Sequence, residues 1–285
     1  MNKKTMDLER LQIKLHECSD RITDLLNYCK QETPALKDID SSLNQLSRLI
    51  YSLRSQMYLL EKNVICSDYV FENFIEGNCN KLARSHAISI AEGSHPNIFS
   101  PFFIFGSVGS GKTHLMHAIV NKVKSKNHEA ATLYLPSEYF CEMTVNSIRN
   151  NLFSEFIAYL SEQDILLIDD IHCLAGKEKT QDVLVQVIDI LLSRDRQVVF
   201  SASVLPKEIT PINDRLLSRI SNGLTVTLGM ADSQTLERIL NEKAQHFNMR
   251  LPDSMLRELL SVEYKNIREA EGHFFSLIAK TSQLE

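Results

Sequence analysis

One stretch limits the possible folds more than any other. The apolar run Phe102-Phe103-Ile104-Phe105 passes straight into Gly106-Ser107-Val108-Gly109-Ser110-Gly111-Lys112-Thr113, and His114 leads on into Leu115-Met116-His117-Ala118-Ile119-Val120. The pattern predicts a strand, a glycine loop and a helix. Glycines let successive backbone N–H groups turn toward one point, and the helix N-terminus adds partial positive charge, so the junction suits an anion. The spacing adds a lysine that reaches the outer phosphates of a nucleotide and a hydroxyl for magnesium. A glycine turn before a helix also arises by chance, and the strand directly before it is the context that separates a phosphate loop from such a turn. The expected ligands are ATP or ADP with Mg2+, held by Gly106, Val108, Gly109, Ser110, Gly111, Lys112 and Thr113, with His114 adjoining.

Further apolar runs at Thr132–Leu135, Ile165–Ile168, Val198–Ser201 and Leu224–Leu228 alternate with helical stretches. Such alternation predicts an α/β domain with a parallel sheet covered by helices on both faces. The run Asp164-Ile165-Leu166-Leu167-Ile168 ends in Asp169-Asp170, where side chains emerge at the carboxyl edge of the sheet beside the phosphates. Asp169 is expected to hold magnesium and Asp170 to polarise the attacking water, because phosphoryl transfer is mostly positioning and charge neutralisation. The next strand ends at Ala202-Ser203, where Ser203 offers a polar group toward that water or the terminal phosphate. Arg215, Arg219 and Arg268 lie downstream. An isolated arginine is usually a solvated charge, but a planar guanidinium also matches phosphate well.

Three segments are expected. Residues 1–66 carry two heptad seams, Leu8 to Cys29 and Leu36 to Leu60, separated at Thr33-Pro34. Neither amphipathic helix buries its stripe alone, so the seams pair as a coiled-coil-like hairpin, in a multi-chain coiled coil, or against a partner, with transient membrane contact as an outside case. Residues 67–231 form the α/β core. Residues 232–285 read as a small helical lid, broken near Leu251-Pro252 and Lys265-Asn266. The charged N-terminus lacks the apolar core of a signal peptide and no stretch reaches membrane-spanning length, so a cytoplasmic location is expected. Six scattered cysteines lack the close pairing of a zinc or redox site. A net charge of −5 argues against coating DNA by bulk charge.

Taken together, these motifs resemble the DnaA/Hda-like family of bacterial replication initiators, from about Tyr69 to Ala279. The resemblance rests on Phe71-Glu72-Asn73-Phe74-Ile75-Glu76-Gly77-Asn78-Cys79-Asn80, on Gly106–His114, on Leu166-Leu167-Ile168-Asp169-Asp170-Ile171-His172, on Gly176-Lys177-Glu178-Lys179-Thr180-Gln181, on Arg215-Leu216-Leu217-Ser218-Arg219, and on Asn266–Gly272. It implies an AAA+ P-loop fold, with ATP between core and lid and subunits that stack so each completes its neighbour's site. It also implies roles. Phe71, Gly77 and Asn80 belong to the segment around the adenine base, Arg219 is the finger acting on a neighbour's ATP, and Arg268 is the lid arginine that senses the γ-phosphate. Lys177 and Lys179 match a loop that touches single-stranded DNA.

The chain departs from the family pattern at Ala202-Ser203, where Ser-Asp is usual, at Ser110 in place of leucine, and at His172-Cys173 in place of Gln-Phe. The missing carboxylate predicts slow or altered hydrolysis. No helix-turn-helix reader is visible before Glu285, so sequence-specific duplex binding is not expected. The leading expectation is a slow ATPase acting in replication initiation or its regulation, through self-association or association with the initiator. The alternatives are an ATP-binding adaptor with little hydrolysis and a helicase-loader-like AAA+ protein.

Overall fold

The computed structural model describes residues 65–93, 99–247 and 249–281, together with parts of two earlier helical stretches that include residues 16–24 and 41–43. Most of the two heptad seams lies outside the described residues. The chain divides into two compact units, one comprising Ile65–Phe140 with Gln163–Glu285, the other including Cys141–Glu162.

Five strands form one parallel sheet in the order β2-β3-β4-β1-β5: β1 Phe102–Gly106, β2 Thr132–Pro136, β3 Ile165–Asp169, β4 Gln197–Ala202 and β5 Leu224–Leu228. Each reading from the apolar runs is right to within a residue at either end. Successive side chains of a strand point to opposite faces. All five residues of β3, and Val198–Ala202 of β4, are buried, so both faces of the central sheet are covered. Numbering the helices from Lys81, α1 is Lys81–Glu92, α2 Lys112–Lys126, α3 Ser137–Arg149, α4 Phe153–Ser161, α5 Glu178–Ser193 and α6 Asp214–Ser221. Helix α2 packs on β1, β2, β3 and β4, α5 on β4 and α6, and α1 on α2 and β5.

The lid contains α7 Ser233–His246, α8 Asp253–Leu260 and α9 Ile267–Thr281. Its breaks fall at the expected Leu251-Pro252 and Lys265-Asn266. Leu240, Ala244, Leu251, Leu259, Phe274 and Leu277 bury one another as its own core. Asp232 caps α7, its carboxylate accepting from the Thr235 N–H at 2.7 Å. Among the described residues no helix is long and apolar enough to cross a membrane.

Candidate functional site

The carboxyl ends of β1, β3 and β4 lie side by side, since Ile104 pairs with Ser201 and Ile168 with Phe200. The glycine loop leaves β1 here. Gly109 (φ 80°) and Gly111 (φ 96°) take left-handed backbone that a side chain would strain. A Cβ at Gly109 would also meet Asn266 Oδ1 at 2.9 Å and Arg268 Cγ at 3.1 Å, so the lid closes directly over the loop. Gly111 is the N-cap of α2, and no side chain caps that end or places an acid in its first turn. The first intrahelical bond runs from Leu115 N–H to Gly111 O, leaving the preceding first-turn N–H groups without a helical acceptor.

Lys112 is buried, and its ammonium donates to Gly106 O at 2.8 Å and Ser107 O at 3.0 Å. Burial lowers its pKa, opposed by the charges of Asp170 and Asp169, while Arg268 lowers it further. Ser110 Oγ is buried with no hydrogen-bond partner. Unsatisfied helix N–H groups, two cations and an orphaned hydroxyl make a donor-rich cradle that fits a phosphate chain.

Behind the cradle, Asp169 is 4% exposed and saturated with donors. Thr113 Oγ1 donates to its Oδ2 at 2.8 Å and the Tyr134 hydroxyl to the same oxygen at 2.7 Å. Ser201 Oγ and the Asp170 N–H both donate to Oδ1, the latter at 3.1 Å. Burial and the neighbouring carboxylate push the Tyr134 hydroxyl well above the ordinary phenol range. Among the described residues no cluster of three acidic, histidine or cysteine side chains could cage a metal. Thr113 and Asp169 nonetheless supply two hard oxygens at the loop, the set that magnesium uses when phosphates complete its shell.

Asp170 stands at the strand end in left-handed backbone (φ 54°, ψ 49°), which aspartate tolerates better than most residues. Its N–H also donates to Ser201 Oγ at 2.9 Å. Burial and the charge of Asp169 raise the Asp170 pKa, against the pull of His172 and Lys112.

The other half of the cavity, about 510 Å³ in all, runs from the loop between residues 66–80 and the lid. Asn73 fixes a proton here. Its amide donates to Asp68 O at 2.6 Å and its Oδ1 accepts from the Val70 N–H at 3.2 Å, so Oδ1 faces His114 as an acceptor. His114 Nε2 lies 3.0 Å from both that oxygen and Val70 O, and two acceptors require a proton on Nε2. Burial lowers the His114 pKa. Tyr69 stacks on the ring at 4.6 Å, and across the cavity Lys243 pairs with Glu271 at 2.8 Å.

The structure brings most expected site residues to one cavity: Asn80, Val108, Gly109, Ser110, Gly111, Lys112, Thr113, His114, Asp170 and Arg268 all line it. Asp169 and Gly106 touch it through Thr113 and Lys112. Phe71 and Gly77 stand behind its wall rather than in it. Phe71 is buried, its carbonyl accepting from Arg84 at 3.1 Å, and a Cβ on Gly77 would collide with the Thr235 side chain of the lid. Asn80 holds that segment, accepting from the Gly77 N–H and donating to Ile75 O, both at 2.9 Å. Ser203 meets His172 and lies outside the cavity lining. Arg219 is not in the cavity of its own chain either; on α6 it forms a two-pronged pair with Asp189 of α5, at 2.5 and 3.4 Å. Lys177 and Lys179 are exposed at the start of α5. Sequence reasoning missed Tyr134, Ser201, Tyr69, Asp189 and the Lys243–Glu271 pair.

A model of the bacterial DnaA ATPase domain matches residues 65–227. The chain belongs to the bacterial DnaA family. The DnaA proteins of Flavobacterium psychrophilum and Psychromonas ingrahamii, both described as chromosomal replication initiators, are each 36% identical to it, over 216 and 222 residues. These matches cover 76% and 77% of this chain but 45% and 48% of the relatives, so it spans about half their length. Domain III of the Thermotoga maritima initiator DnaA superposes with a TM-score of 0.71 at 31% identity, covering 77% of this chain and 91% of that one. AMPPCP-bound DnaA from Aquifex aeolicus gives 0.69 at 31%, covering 76% and 67%. A DnaA bound to AMPPCP and single-stranded DNA gives 0.68 at 32%, covering 73% and 64%. The family-model match therefore reaches all five strands of the sheet and takes in the glycine loop that lines the cavity.

Proposed function

We propose that this chain binds ATP with magnesium and acts in the initiation of DNA replication or its regulation, by associating with itself or an initiator according to the nucleotide held. The observation that carries this reading is the uncapped N-terminus of α2 within a glycine loop, faced from the lid by Arg268. AMPPCP bound by relatives with this fold supports it.

Each side chain then has a task. Helix N–H groups and Lys112 bind the β- and γ-phosphates, and Arg268 reaches the outer end from α9. Thr113 and Asp169 would hold magnesium, which supplies charge neutralisation across the phosphate oxygens. Asp170 orients the attacking water, and its raised pKa suits a group that receives a proton. Arg219, outside its own cavity, serves an adjoining copy, stabilising charge in that copy's transition state. The exposed Lys177 and Lys179 are the candidate contacts to single-stranded DNA backbone, a ligand that one relative carries.

Calorimetric titration with ATP and with ADP, in the presence of magnesium, tests the reading. Wild type is expected to bind both and Lys112→Ala to lose at least about tenfold in affinity, since one charge-assisted contact is worth over 1.4 kcal/mol. Light scattering should show larger species with ATP than with ADP. A wild-type chain with affinity for neither nucleotide would overturn the proposal.

A further inference from the structure

Three side chains from separate elements meet beyond Asp169. Asp170 directly follows β3, His172 lies in the 3-10 turn Ile171–Leu174, and Ser203 follows β4. His172 Nε2 is 3.2 Å from Ser203 Oγ, and its Nδ1 is 3.8 Å from Asp170 Oδ1. Nδ1 is buried and makes no hydrogen bond. One ring nitrogen is thus engaged, and the other faces a carboxylate across a gap less than about 1 Å longer than a hydrogen bond. Leaving a buried polar atom unpaired is unfavourable, so closing that gap is downhill. Among the described residues, His172 is the one basic side chain within ion-pair distance of the Asp170 carboxylate.

The backbone favours the same link. Asp170 is fixed in left-handed conformation, its N–H anchored to Asp169 Oδ1 and Ser201 Oγ. The direction of its Cα–Cβ bond is therefore set, while its carboxylate remains half exposed. One imidazole tautomer satisfies all three groups: Nδ1 carries the proton toward Asp170, and Nε2 accepts from the Ser203 hydroxyl.

We propose that His172 is a positioning residue that ties the Asp170 carboxylate to Ser203 and thereby couples the end of β3 to the end of β4. It rests on the reading of Asp170 as the group that orients water for hydrolysis. Ser203 then acts through the ring, at one remove from the phosphate, and the ring limits which rotamers of Asp170 are reached. Pre-orienting the group that aims a nucleophile affects turnover more than ground-state binding.

Two measurements on the full chain test the link. Long-range nitrogen–proton NMR resolves the imidazole nitrogens, and the His172 signals are identified by their loss in His172→Gln. Asp170→Asn is expected to shift Nδ1 and Ser203→Ala to shift Nε2. If neither moves, the link is wrong, whether or not the protein hydrolyses ATP. In kinetics, His172→Phe is expected to lower kcat by about ten- to a hundredfold, with ATP affinity within about twofold of wild type. His172→Gln, whose amide still donates to Asp170, should recover part of that loss, and His172→Phe should add nothing in an Asp170→Asn background. Equal losses in affinity and turnover would overturn the proposal. If Asp170→Asn leaves turnover unchanged, the hydrolytic reading fails, and the ring signals still decide the link. Should His172→Phe not fold, the glutamine variant and the NMR of Ser203→Ala carry the same test.

Discussion

Replacing Tyr134 by phenylalanine removes one hydrogen bond and leaves the ring in place. The hydroxyl donates to the buried Asp169 carboxylate at 2.7 Å, and hydrogen bonds to charged groups contribute about 1.5–3 kcal/mol. Asp169 keeps three other donors, from Thr113, Ser201 and the Asp170 N–H, which favours the lower half of that range, about 2 kcal/mol. A loss of that size lowers the melting temperature of a domain this large by roughly 4–8 °C.

The pH dependence sharpens the test. Burial, followed by the charge of Asp169, raises the Tyr134 pKa above its ordinary value of 10.0. Above that pH the unfolded chain gives up the phenol proton while the folded chain keeps it. The folded state then binds more protons, so stability falls as pH rises, by about 1.4 kcal/mol per unit. Phenylalanine has no such proton. The contribution of Tyr134 is therefore complete below pH 10 and shrinks above it, and a 2 kcal/mol gap between wild type and variant closes roughly 1.5 units higher. Tyr159 and Tyr264, also raised by burial, are common to both proteins and cancel. Urea unfolding at neutral pH and at about pH 11.5 measures the gap directly. A gap of the same size at both would refute the assignment.

Gly77→Ala puts a methyl group against Thr235, with Cγ2 at 2.7 Å and Cβ at 3.0 Å, and should destabilise the chain by about 1–3 kcal/mol in chemical unfolding; adding Thr235→Ala should return most of it. Arg219→Ala should leave ATP affinity of the isolated chain within about twofold while cutting turnover and assembly by orders of magnitude, and Asp189→Asn should give a milder version of the same pattern in the same assays. His114 has its pKa lowered by burial, so below its ordinary value of 6.5 the unfolded chain binds the extra proton and stability falls as pH falls. His114→Gln should flatten that acid limb, as read from unfolding at pH 7 and at about pH 5.

How much of this was legible beforehand depended on whether a signal was local. The phosphate loop, the Asp169-Asp170 strand end and the lid breaks are contiguous in sequence, so glycine spacing, apolar runs and proline reveal them. Tyr134 and Ser201 are different. Tyr134 reaches Asp169 because Pro136, two residues further along, is the registered partner of Asp169, and Ser201 because Phe200 pairs with Ile168. Strand register is a long-range property that no local pattern encodes. Asp189 pairs with Arg219 only because α5 and α6 pack side by side, a contact between helices that no local pattern marks. Phe71 and Gly77 belong to a contiguous motif, but their position follows from packing: one buries its ring, and the other makes room for Thr235.

The lid is fastened twice to the segment preceding α1: Gly77 admits Thr235 without a gap, and the Arg238 guanidinium donates to Glu76 O at 2.8 Å. A cover latched along that side cannot lift there without carrying its doorframe along. Exchange of a bound molecule would then proceed at the far margin, where α9 meets the glycine loop, so that release depends on the swing of Asn266 and Arg268 away from Gly109.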